Sequence, residues 1–297
     1  MTLPDRNFWA GKRVLVTGHT GFKGGWLTLW LQRLGAHVSG ISLQPNTQPN
    51  LFEIAKIDLV CDSHFCDIRD QDVFSALIKN LRPEVVFHLA AQPLVRSSYK
   101  KPAETFNANI MGTVNLLDAL RNVNSVKSAV MVTTDKVYRN NEWSWPYRED
   151  DILGGHDPYS ASKAASELVI ASYRDSFLGQ QGVALASARA GNVIGGGDWS
   201  KDRIIPDAVR AWQNEETIEI RRPNSVRPWQ HVLEPLAGYI ILAEQLCKNI
   251  GLADAYNFGP SVQETVTVSN VIEFARKAYG SGKVRLCNEI KGPHEAA

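Results

Sequence analysis

Three glycines spaced three residues apart constrain the fold of this chain more than any other feature. Gly18, Gly21 and Gly24 lie in the segment TGHTGFKGG, after the apolar run Arg13–Thr17 and at the start of an amphipathic stretch, residues 22–34. Glycine permits a tight turn and lets the backbone approach a diphosphate, and the following helix offers free N–H groups. Such a turn is a weak indication alone, but between a strand and a helix it predicts a dinucleotide-binding loop.

The first 190 residues alternate short Val-, Ile- and Leu-rich runs with amphipathic stretches of helical periodicity. This alternation is typical of a parallel sheet covered by helices on both faces. We therefore predict the α/β class, with a Rossmann-type doubly wound parallel sheet. The predicted strands are residues 13–17, 37–42, 63–67, 84–89, 129–133 and 183–188, and the predicted helices are residues 22–34, 70–81, 109–122 and 159–177.

Beyond residue 190 the sequence becomes rich in Gly, Pro and Trp around shorter elements, with helical patterns over residues 204–214, 232–249 and 268–279. A chain of 297 residues is long enough for two units. We predict that residues 1–190 form a dinucleotide-binding domain that also holds the catalytic residues. Residues 191–297 are predicted to form a smaller C-terminal lobe that mainly binds the substrate.

The composition excludes several classes of protein. With 32 Lys and Arg against 31 Asp and Glu, the chain has no broad charge to attract nucleic acid or an anionic membrane, so neither is expected as a partner. A secretory signal and a long apolar span are both missing from the sequence, which predicts a soluble cytoplasmic protein. The four cysteines lack CxxC spacing and the histidines lack HExxH spacing, so we expect neither disulfides nor a metal site.

The end of the second predicted strand bears on the choice of cofactor. NAD-binding folds usually place an acid there for the adenosine ribose, whereas this chain has Ser42, Leu43 and Gln44. A serine or glutamine oxygen can still meet the ribose, and no Arg or Lys stands there to bind a 2′-phosphate, so NAD is favoured over NADP. The residues predicted to bind NAD are Gly18, Thr20, Gly21, Phe22, Lys23, Gly24, Ser42, Asp67, Ile68, Leu89, Ala90, Ala91, Thr133, Tyr159 and Lys163.

Two alanines in that set have an equally good structural interpretation. Ala90 and Ala91 follow the fourth predicted strand, where small side chains would let a dinucleotide lie flat. They would serve close packing between a strand and a helix just as well. The sequence leaves both interpretations open.

A tyrosine and a lysine four residues apart are the candidate proton-transfer pair. Tyr159 and Lys163 lie in HDPYSASK, at the start of the helical stretch that follows the fifth predicted strand. Residues four apart share one helix face, so the Lys163 cation is expected to sit beside Tyr159 and, together with an oxidised nicotinamide, to favour the phenolate. Such a tyrosine can take the proton from a hydroxyl while hydride leaves the carbon. At this position the pair resembles the catalytic element of the extended short-chain dehydrogenase/reductases.

The segment Thr134, Asp135 and Lys136 follows the fifth predicted strand and supplies an acid and an amine side by side. Elimination of water needs both a proton donor and a base, and a lysine accepts a proton only in its neutral form, which burial near the Lys163 cation favours. Adjacent residues of a strand point to opposite faces, so we predict a bend near Thr134 that lets both side chains reach one substrate. Alternatively, Asp135 and Lys136 are a solvated charge pair.

Several longer motifs resemble the CDP-glucose 4,6-dehydratase family across nearly the whole chain: HTGFKGGWL from His19, AAQPLVRSSY from Ala90, RAGNVIGGGDW from Arg189, DRIIPD from Asp202 and RPWQHVLEP from Arg227. Related nucleotide-sugar dehydratases have Thr-Asp-Glu where this chain has Thr-Asp-Lys. The resemblance implies that Tyr159 starts oxidation at carbon 4 of the hexose and that Lys136 removes the proton at carbon 5. Asp135 would protonate the hydroxyl leaving carbon 6, and Thr134 would hydrogen-bond near the oxidised hydroxyl. The product would be CDP-4-keto-6-deoxyglucose, with no net consumption of NAD.

The resemblance also implies a binding site for the sugar and its diphosphate, and arginine is well suited to bind phosphate groups. The candidate substrate-binding residues are Gln92, Arg189, Asn192, Arg203, Arg222 and Arg227. The family further implies a homo-oligomer, a dimer or tetramer, through helices 109–122 and 159–177, and a role in dideoxysugar synthesis for lipopolysaccharide O-antigen. Family members continue past GPHEA, whereas this chain stops at Ala297, so we expect a shortened substrate lobe.

Two other functions remain open. A nucleotide-sugar 4-epimerase or reductase of the same family would use Tyr159, Lys163 and the glycine loop but would have no use for Asp135 and Lys136. A non-catalytic NAD(H)-binding regulator would keep the fold and is expected to lose the Tyr/Lys pair, which this chain retains.

Overall fold

A computed structural model describes residues 3–143, 145–261 and 266–287. The strands in chain order are β1 Arg13–Thr17, β2 His37–Ser42, β3 Asp62–Phe65, β4 Val85–His88, β5 Ser128–Val132, β6 Ala184–Ala190, β7 Val193–Ile194, β8 Thr217–Ile220, β9 Val226–Arg227, β10 Gln230–His231, β11 Ala255–Phe258, β12 Val266–Thr267 and β13 Lys283–Leu286. Within the described ranges, no helix has the length and apolar character needed to cross a bilayer.

The helices connect and cover these strands. They are α1 Arg6–Trp9, α2 Phe22–Arg33, α3 Leu51–Ile54, α4 Gln71–Leu81, α5 Val95–Lys100, α6 Pro102–Phe106, α7 Gly112–Leu120, α8 Pro158–Tyr173, α9 Ile204–Gln213, α10 Leu233–Lys248 and α11 Val268–Tyr279. The described residues also contain two π-helical turns, Asn107–Met111 and Arg174–Leu178, and three 3₁₀ turns, Ile57–Leu59, Asp135–Val137 and Ile250–Leu252.

Seven parallel strands form the central sheet in the order β11-β6-β5-β4-β1-β2-β3. Side chains alternate between the faces of a strand, so Val14 and Val16 of β1 pack with α2 and α10, whereas Leu15 packs with α4, α7 and α8. Both faces are therefore covered by apolar helix stripes. This arrangement confirms the predicted α/β class and the Rossmann-type sheet.

The elements that the sequence predicted lie within two residues of their observed bounds when the π turns are counted as helical, with one larger difference. Strands β7–β13 and helices α1, α3 and α5 were not predicted. The helix predicted at residues 109–122 begins earlier: α6 starts with Pro102 at its first turn and continues through the π turn Asn107–Met111 into α7. Asn109, predicted as its first residue, is buried inside this π turn. Its amide donates to Gln92 O at 3.1 Å and to Ser162 Oγ at 2.8 Å. Buried polar residues such as Asn109 interrupt the apolar periodicity here, so the sequence pattern did not indicate where the helix begins.

The boundary between the two structural units does not fall at residue 190. Strand β11 pairs with β6 in the central sheet, and α10 packs on the same sheet beside α2, although both elements follow residue 190. A smaller core of α9, β8, α11 and β13 forms the separate lobe. The functional division into residues 1–190 and 191–297 stays a prediction, but the second segment contributes to both units. The motif GPHEA lies outside the described residues.

Candidate active site

The glycine loop lies where the sheet order changes direction, between the carboxyl ends of β1 and β4. Gly18 has φ +79°, and a Cβ there would lie 2.8 Å from Ala90 N. Thr17 Oγ1 accepts hydrogen bonds from Leu89 N and Ala90 N, both at 3.2 Å. A side chain at position 18 would close this crevice, and crevices at such switch points are where α/β sheets bind their ligands.

The first turn of α2 is equally dependent on glycine. A Cβ on Gly24 would lie 2.0 Å from Gly18 O, so the helix and the loop pack backbone against backbone. Gly21 is the N-cap of α2 and provides no capping side chain, which leaves the first N–H groups of the helix for a ligand. The cradle therefore fits the diphosphate of a dinucleotide.

Hydrogen bonds tie the glycine loop to the end of β2. Thr20 Oγ1 lies 2.8 Å from Ser42 Oγ and donates to Leu43 O at 2.9 Å. Further along the predicted cofactor path, the Asp67 carboxylate already binds the Arg69 guanidinium at 2.6 Å, and Ile68 is buried in the core. The proposed contacts of Asp67 and Ile68 with the cofactor stay predictions.

The chain leaves the central sheet at Thr134, as the sequence predicted. Thr134 is the N-cap of the 3₁₀ turn Asp135–Val137, and its hydroxyl donates to Asp135 Oδ1 at 3.0 Å and accepts from Lys136 N at 3.4 Å. As a result both Asp135 and Lys136 line one cavity together with Tyr159. A side chain on Gly191 would lie 2.8 Å from the Asp135 carboxylate, so glycine keeps that acid accessible from the cavity.

Burial controls the acidity of the candidate general base. Removal from water raises the pKa of Tyr159 to about 12, and the Asp135 and Asp157 carboxylates act in the same direction. The nearby Thr134 hydroxyl and the charge of Arg203 oppose this shift. The phenol is therefore protonated at neutral pH, and its deprotonation requires further positive charge in the cavity.

The expectation that Lys163, together with an oxidised nicotinamide, favours the Tyr159 phenolate stays a prediction. The Lys163 ammonium donates to Val132 O at 3.2 Å, at the end of β5. Burial lowers the pKa of Lys163 itself to about 8, against the opposing charge of Glu167. Both residues lie on α8 with the predicted i, i+4 spacing, and the Lys163 amine is anchored to the strand backbone.

The catalytic cavity has a volume of about 720 Å³ and lies between the central sheet and the smaller lobe. Four of the predicted substrate-binding residues line it: Asn192, Arg203, Arg222 and Arg227. Lys23 reaches the same region from α2, where burial and the nearby Arg203 cation lower its pKa to about 8. These cations suit an anionic ligand such as a diphosphate.

Two further ion pairs at the cavity wall were not found by sequence reasoning. Arg203 Nη1 lies 3.6 Å from Asp198 Oδ2, and Arg96 Nη1 lies 3.2 Å from Asp202 Oδ1. Arg96 is part of the motif AAQPLVRSSY, and Asp198 follows the three glycines of VIGGGDW. The motifs therefore contained the charged residues of these ion pairs. No pattern in them indicated that Arg96 would meet Asp202, 106 residues away.

Arg189 is a structural residue, contrary to its predicted role in substrate binding. Its side chain is 5% exposed, and Nη2 donates to Glu167 Oε2 at 2.9 Å. Nη1 donates to Tyr138 Oη and to Glu149 O, both at 2.8 Å. The guanidinium neutralises the carboxylate that lies between β5, β6 and α8, so it is not free to bind a diphosphate.

Gln92 and Thr133 also turn away from their predicted ligands. The Gln92 amide donates to Leu94 O at 3.1 Å and to Thr105 Oγ1 at 2.9 Å, which holds the turn after β4. The Thr133 hydroxyl donates to Glu167 in a short contact. Both side chains stabilise the walls of the site and do not line the cavity, because internal polar groups already satisfy them.

The chain belongs to the family described as GDP-mannose 4,6 dehydratase, whose model matches residues 15–295. A CDP-glucose 4,6-dehydratase from Salmonella typhimurium is 50% identical over 98% of this chain and 83% of its own length. This relationship confirms the resemblance that the sequence motifs indicated.

Solved structures share the fold at lower identity. A dTDP-glucose 4,6-dehydratase from Bacillus anthracis, in complex with NAD, has a TM-score of 0.77 and 21% identity, covering 96% of this chain and 86% of its own. A UDP-N-acetylglucosamine 4-epimerase from Methanobrevibacter ruminantium has a TM-score of 0.81 and 22% identity, covering 97% and 88%. The same fold therefore serves both elimination and epimerisation, and fold alone does not choose between them.

The Arg189 assignment leads to a stability test. Arg189→Met leaves the Glu167 carboxylate buried without its cation, so we expect the free energy of unfolding to fall by about 3–5 kcal/mol. Urea unfolding followed by fluorescence measures this, with Arg222→Met at the cavity wall as the control that changes stability less. If Arg189→Met kept its stability but bound the nucleotide sugar more weakly, Arg189 would be a substrate-binding residue and not a structural one.

Proposed function

We propose that this protein converts CDP-glucose to CDP-4-keto-6-deoxyglucose by oxidation, elimination of water and reduction within one cavity, with NAD as a recycled cofactor. The observation that carries the proposal is the convergence of Tyr159, Asp135 and Lys136 on that cavity. The 50% identity to the Salmonella CDP-glucose 4,6-dehydratase supports the same reaction and the same nucleotide.

The glycine loop and the first turn of α2 are the proposed binding site for NAD. Gly18 and Gly24 provide the close backbone approach, Gly21 leaves the helix N–H groups open, and Thr20 with Ser42 holds the loop against β2. The chemistry that NAD supplies when bound is uptake of a hydride from carbon 4 of the hexose and its return at carbon 6. Binding, orientation and all proton transfers fall to the chain's own residues.

Tyr159 is the proposed base for the hydroxyl proton at carbon 4. It is buried at the start of α8, close to the Thr134 side chain. The Thr134 hydroxyl and the Arg203 cation lower the pKa of the phenol, against the larger effect of burial. The proton leaves when the positive charge in the cavity increases, which couples deprotonation to occupation of the site.

Asp135 and Lys136 are the proposed acid and base for elimination. Once carbon 4 is a ketone, the proton at carbon 5 is acidified, and Lys136 takes it while Asp135 protonates the oxygen that leaves carbon 6 as water. Lys136 returns this proton to carbon 5 when hydride is added at carbon 6, and the proton released from the carbon-4 hydroxyl restores the acid form of Asp135. The bend at Thr134 brings both side chains to one side of the chain. A 4-epimerase or reductase would need no acid and base at these positions, so their exposure to the cavity favours dehydration.

The nucleotide and its diphosphate are proposed to bind where Asn192, Arg203, Arg222 and Arg227 line the cavity. Guanidinium groups bind phosphate oxygens through paired N–H donors. The choice of cytosine rests on similarity to the Salmonella protein.

The assignment is tested by the mass of the product. The purified protein, supplied with NAD and separately with CDP-glucose, dTDP-glucose, UDP-glucose and GDP-mannose, should release a product lighter by one water from CDP-glucose. No external reductant should be needed, because the hydride is returned. A product of unchanged mass would identify an epimerase, and binding of NAD without any product would identify a non-catalytic NAD(H)-binding protein.

Lys136→Met tests the proposed base. Removing the amine should leave oxidation at carbon 4 possible but slow release of the dehydrated product by about 10²–10⁴-fold. The readouts are near-ultraviolet absorbance of reduced nicotinamide, which should persist, and the mass of the product. Lys201→Met, at an exposed lysine, is the matched control. If Lys136→Met turned over at the wild-type rate, Lys136 would not be the base that takes the carbon-5 proton.

A homo-oligomer is proposed through the helices on one side of the sheet. Phe106 and Met111 on the α6–α7 segment and Leu168 on α8 are large apolar side chains exposed by 37%, 45% and 65%, and these helices pack beside each other. Large exposed apolar side chains on helices that pack together favour pairing with a second copy. Sedimentation of the wild type should show a dimer or tetramer, and Met111→Glu with Leu168→Glu should shift it to monomer. A wild type that sediments as a monomer would contradict this.

The setting of the reaction is also a proposal. A cytoplasmic protein that acts on a small nucleotide sugar, and not on nucleic acid, agrees with the net charge of +1. A keto-deoxy sugar nucleotide is a precursor of dideoxysugars, which supports a role in the synthesis of lipopolysaccharide O-antigen.

A further inference from the structure

The helix that follows the glycine loop also contacts a second glycine-rich segment, Gly195–Gly197, which forms part of the wall of the catalytic cavity. The indole Nε1 of Trp26, in the middle of α2, donates to Gly196 O at 2.8 Å. Trp26 and Gly196 are 170 residues apart in sequence. The hydrogen bond therefore joins the proposed cofactor helix directly to the substrate wall.

Side-chain packing on both sides of this hydrogen bond leaves the segment little room to move alone. A Cβ on Gly195 would lie 3.2 Å from the ring of Phe22, and a Cβ on Gly197 would lie 2.7 Å from Leu51 Cδ1. Gly197 also has φ +88°, which disfavours any other residue. Gly195 and Gly197 therefore allow side chains of α2 and α3 to pack closely against the backbone of the cavity wall.

The far end of the same wall reaches the catalytic residues. Directly after Gly197, Asp198 pairs with Arg203, and the charge of Arg203 lowers the pKa of Tyr159. One continuous set of contacts thus runs from the glycine loop, along α2 to Trp26, through Gly196, and on to Arg203. Such a contiguous packed path is able to transmit a change at one site to the other.

We infer that Trp26 is a positioning residue that couples binding of the dinucleotide to binding of the nucleotide sugar. The inference rests on the proposed function, which assigns one ligand to the glycine loop and the other to the cavity. Because α2 and Gly195–Gly197 can shift only together, either ligand fixes the position of both, so the second ligand meets a wall that is already in place and binds more tightly. The effect is reciprocal, since each ligand must strengthen the other by the same factor.

The coupling is measured by titration calorimetry with NAD, in the absence and presence of saturating CDP, an unreactive part of the proposed substrate. In the wild type, CDP should tighten NAD binding by about 5–150-fold. In Trp26→Phe, which keeps an aromatic ring but loses the N–H donor, this factor should fall towards one. The affinities for NAD alone and CDP alone should each change by at most about threefold. A residue that merely stabilised the fold would not remove the factor selectively.

Trp30→Phe is the matched control, because Trp30 lies one turn further along α2 and packs against the main core. It should retain the full coupling factor. Leu51→Val, which shortens the contact with Gly197, should also reduce the factor and serves if Trp26→Phe fails to fold.

The outcomes separate this inference from the proposed function. Wild-type protein that binds both ligands independently, or a variant at Trp26 or Leu51 that keeps the full factor, overturns the coupling role alone. Wild-type protein that binds neither NAD nor CDP overturns the proposed function and the coupling with it.

Discussion

The hydrogen bonds of Thr134 determine which chemistry is open to this protein. At the end of β5 the backbone must turn, and the Thr134 hydroxyl both accepts from Lys136 N and donates to Asp135. In an extended strand these two side chains would point to opposite faces of the sheet. Because the chain turns instead, an acid and an amine reach the same cavity as Tyr159. The proposed elimination, in addition to hydride transfer, depends on this local geometry.

A buried polar network between α8 and the central sheet holds that turn in place. Glu167 on α8 accepts hydrogen bonds from Thr133, Ser187 and Arg189, which lie on or next to the two central strands β5 and β6. A buried carboxylate is tolerated only where such partners satisfy it, so the network fixes the spacing between α8 and the sheet. Since Tyr159 and Lys163 are on the same helix, the position of the candidate base follows from this contact.

The sequence predicted much of the site because parts of it are local. The glycine spacing, the Tyr-x-x-x-Lys spacing and the Thr-Asp-Lys segment each act within a few residues, and the cradle and the bend lie where they were predicted. The expected role of Arg189 failed because its partner, Glu167, lies 22 residues away in sequence. A guanidinium bonds to a carboxylate as readily as to a diphosphate, and residue type does not reveal which one is near.

By itself, then, the sequence determined the α/β class, the dinucleotide loop and the family, because periodicity, glycine geometry and long motifs are properties of short stretches of chain. Only the tertiary structure decided that β11 closes the sheet beside β6, that Arg189 neutralises Glu167, and that Trp26 meets Gly196 across 170 residues. Contacts of this kind arise from packing between elements remote in sequence, and in a single sequence no local pattern encodes which remote partner a side chain will meet.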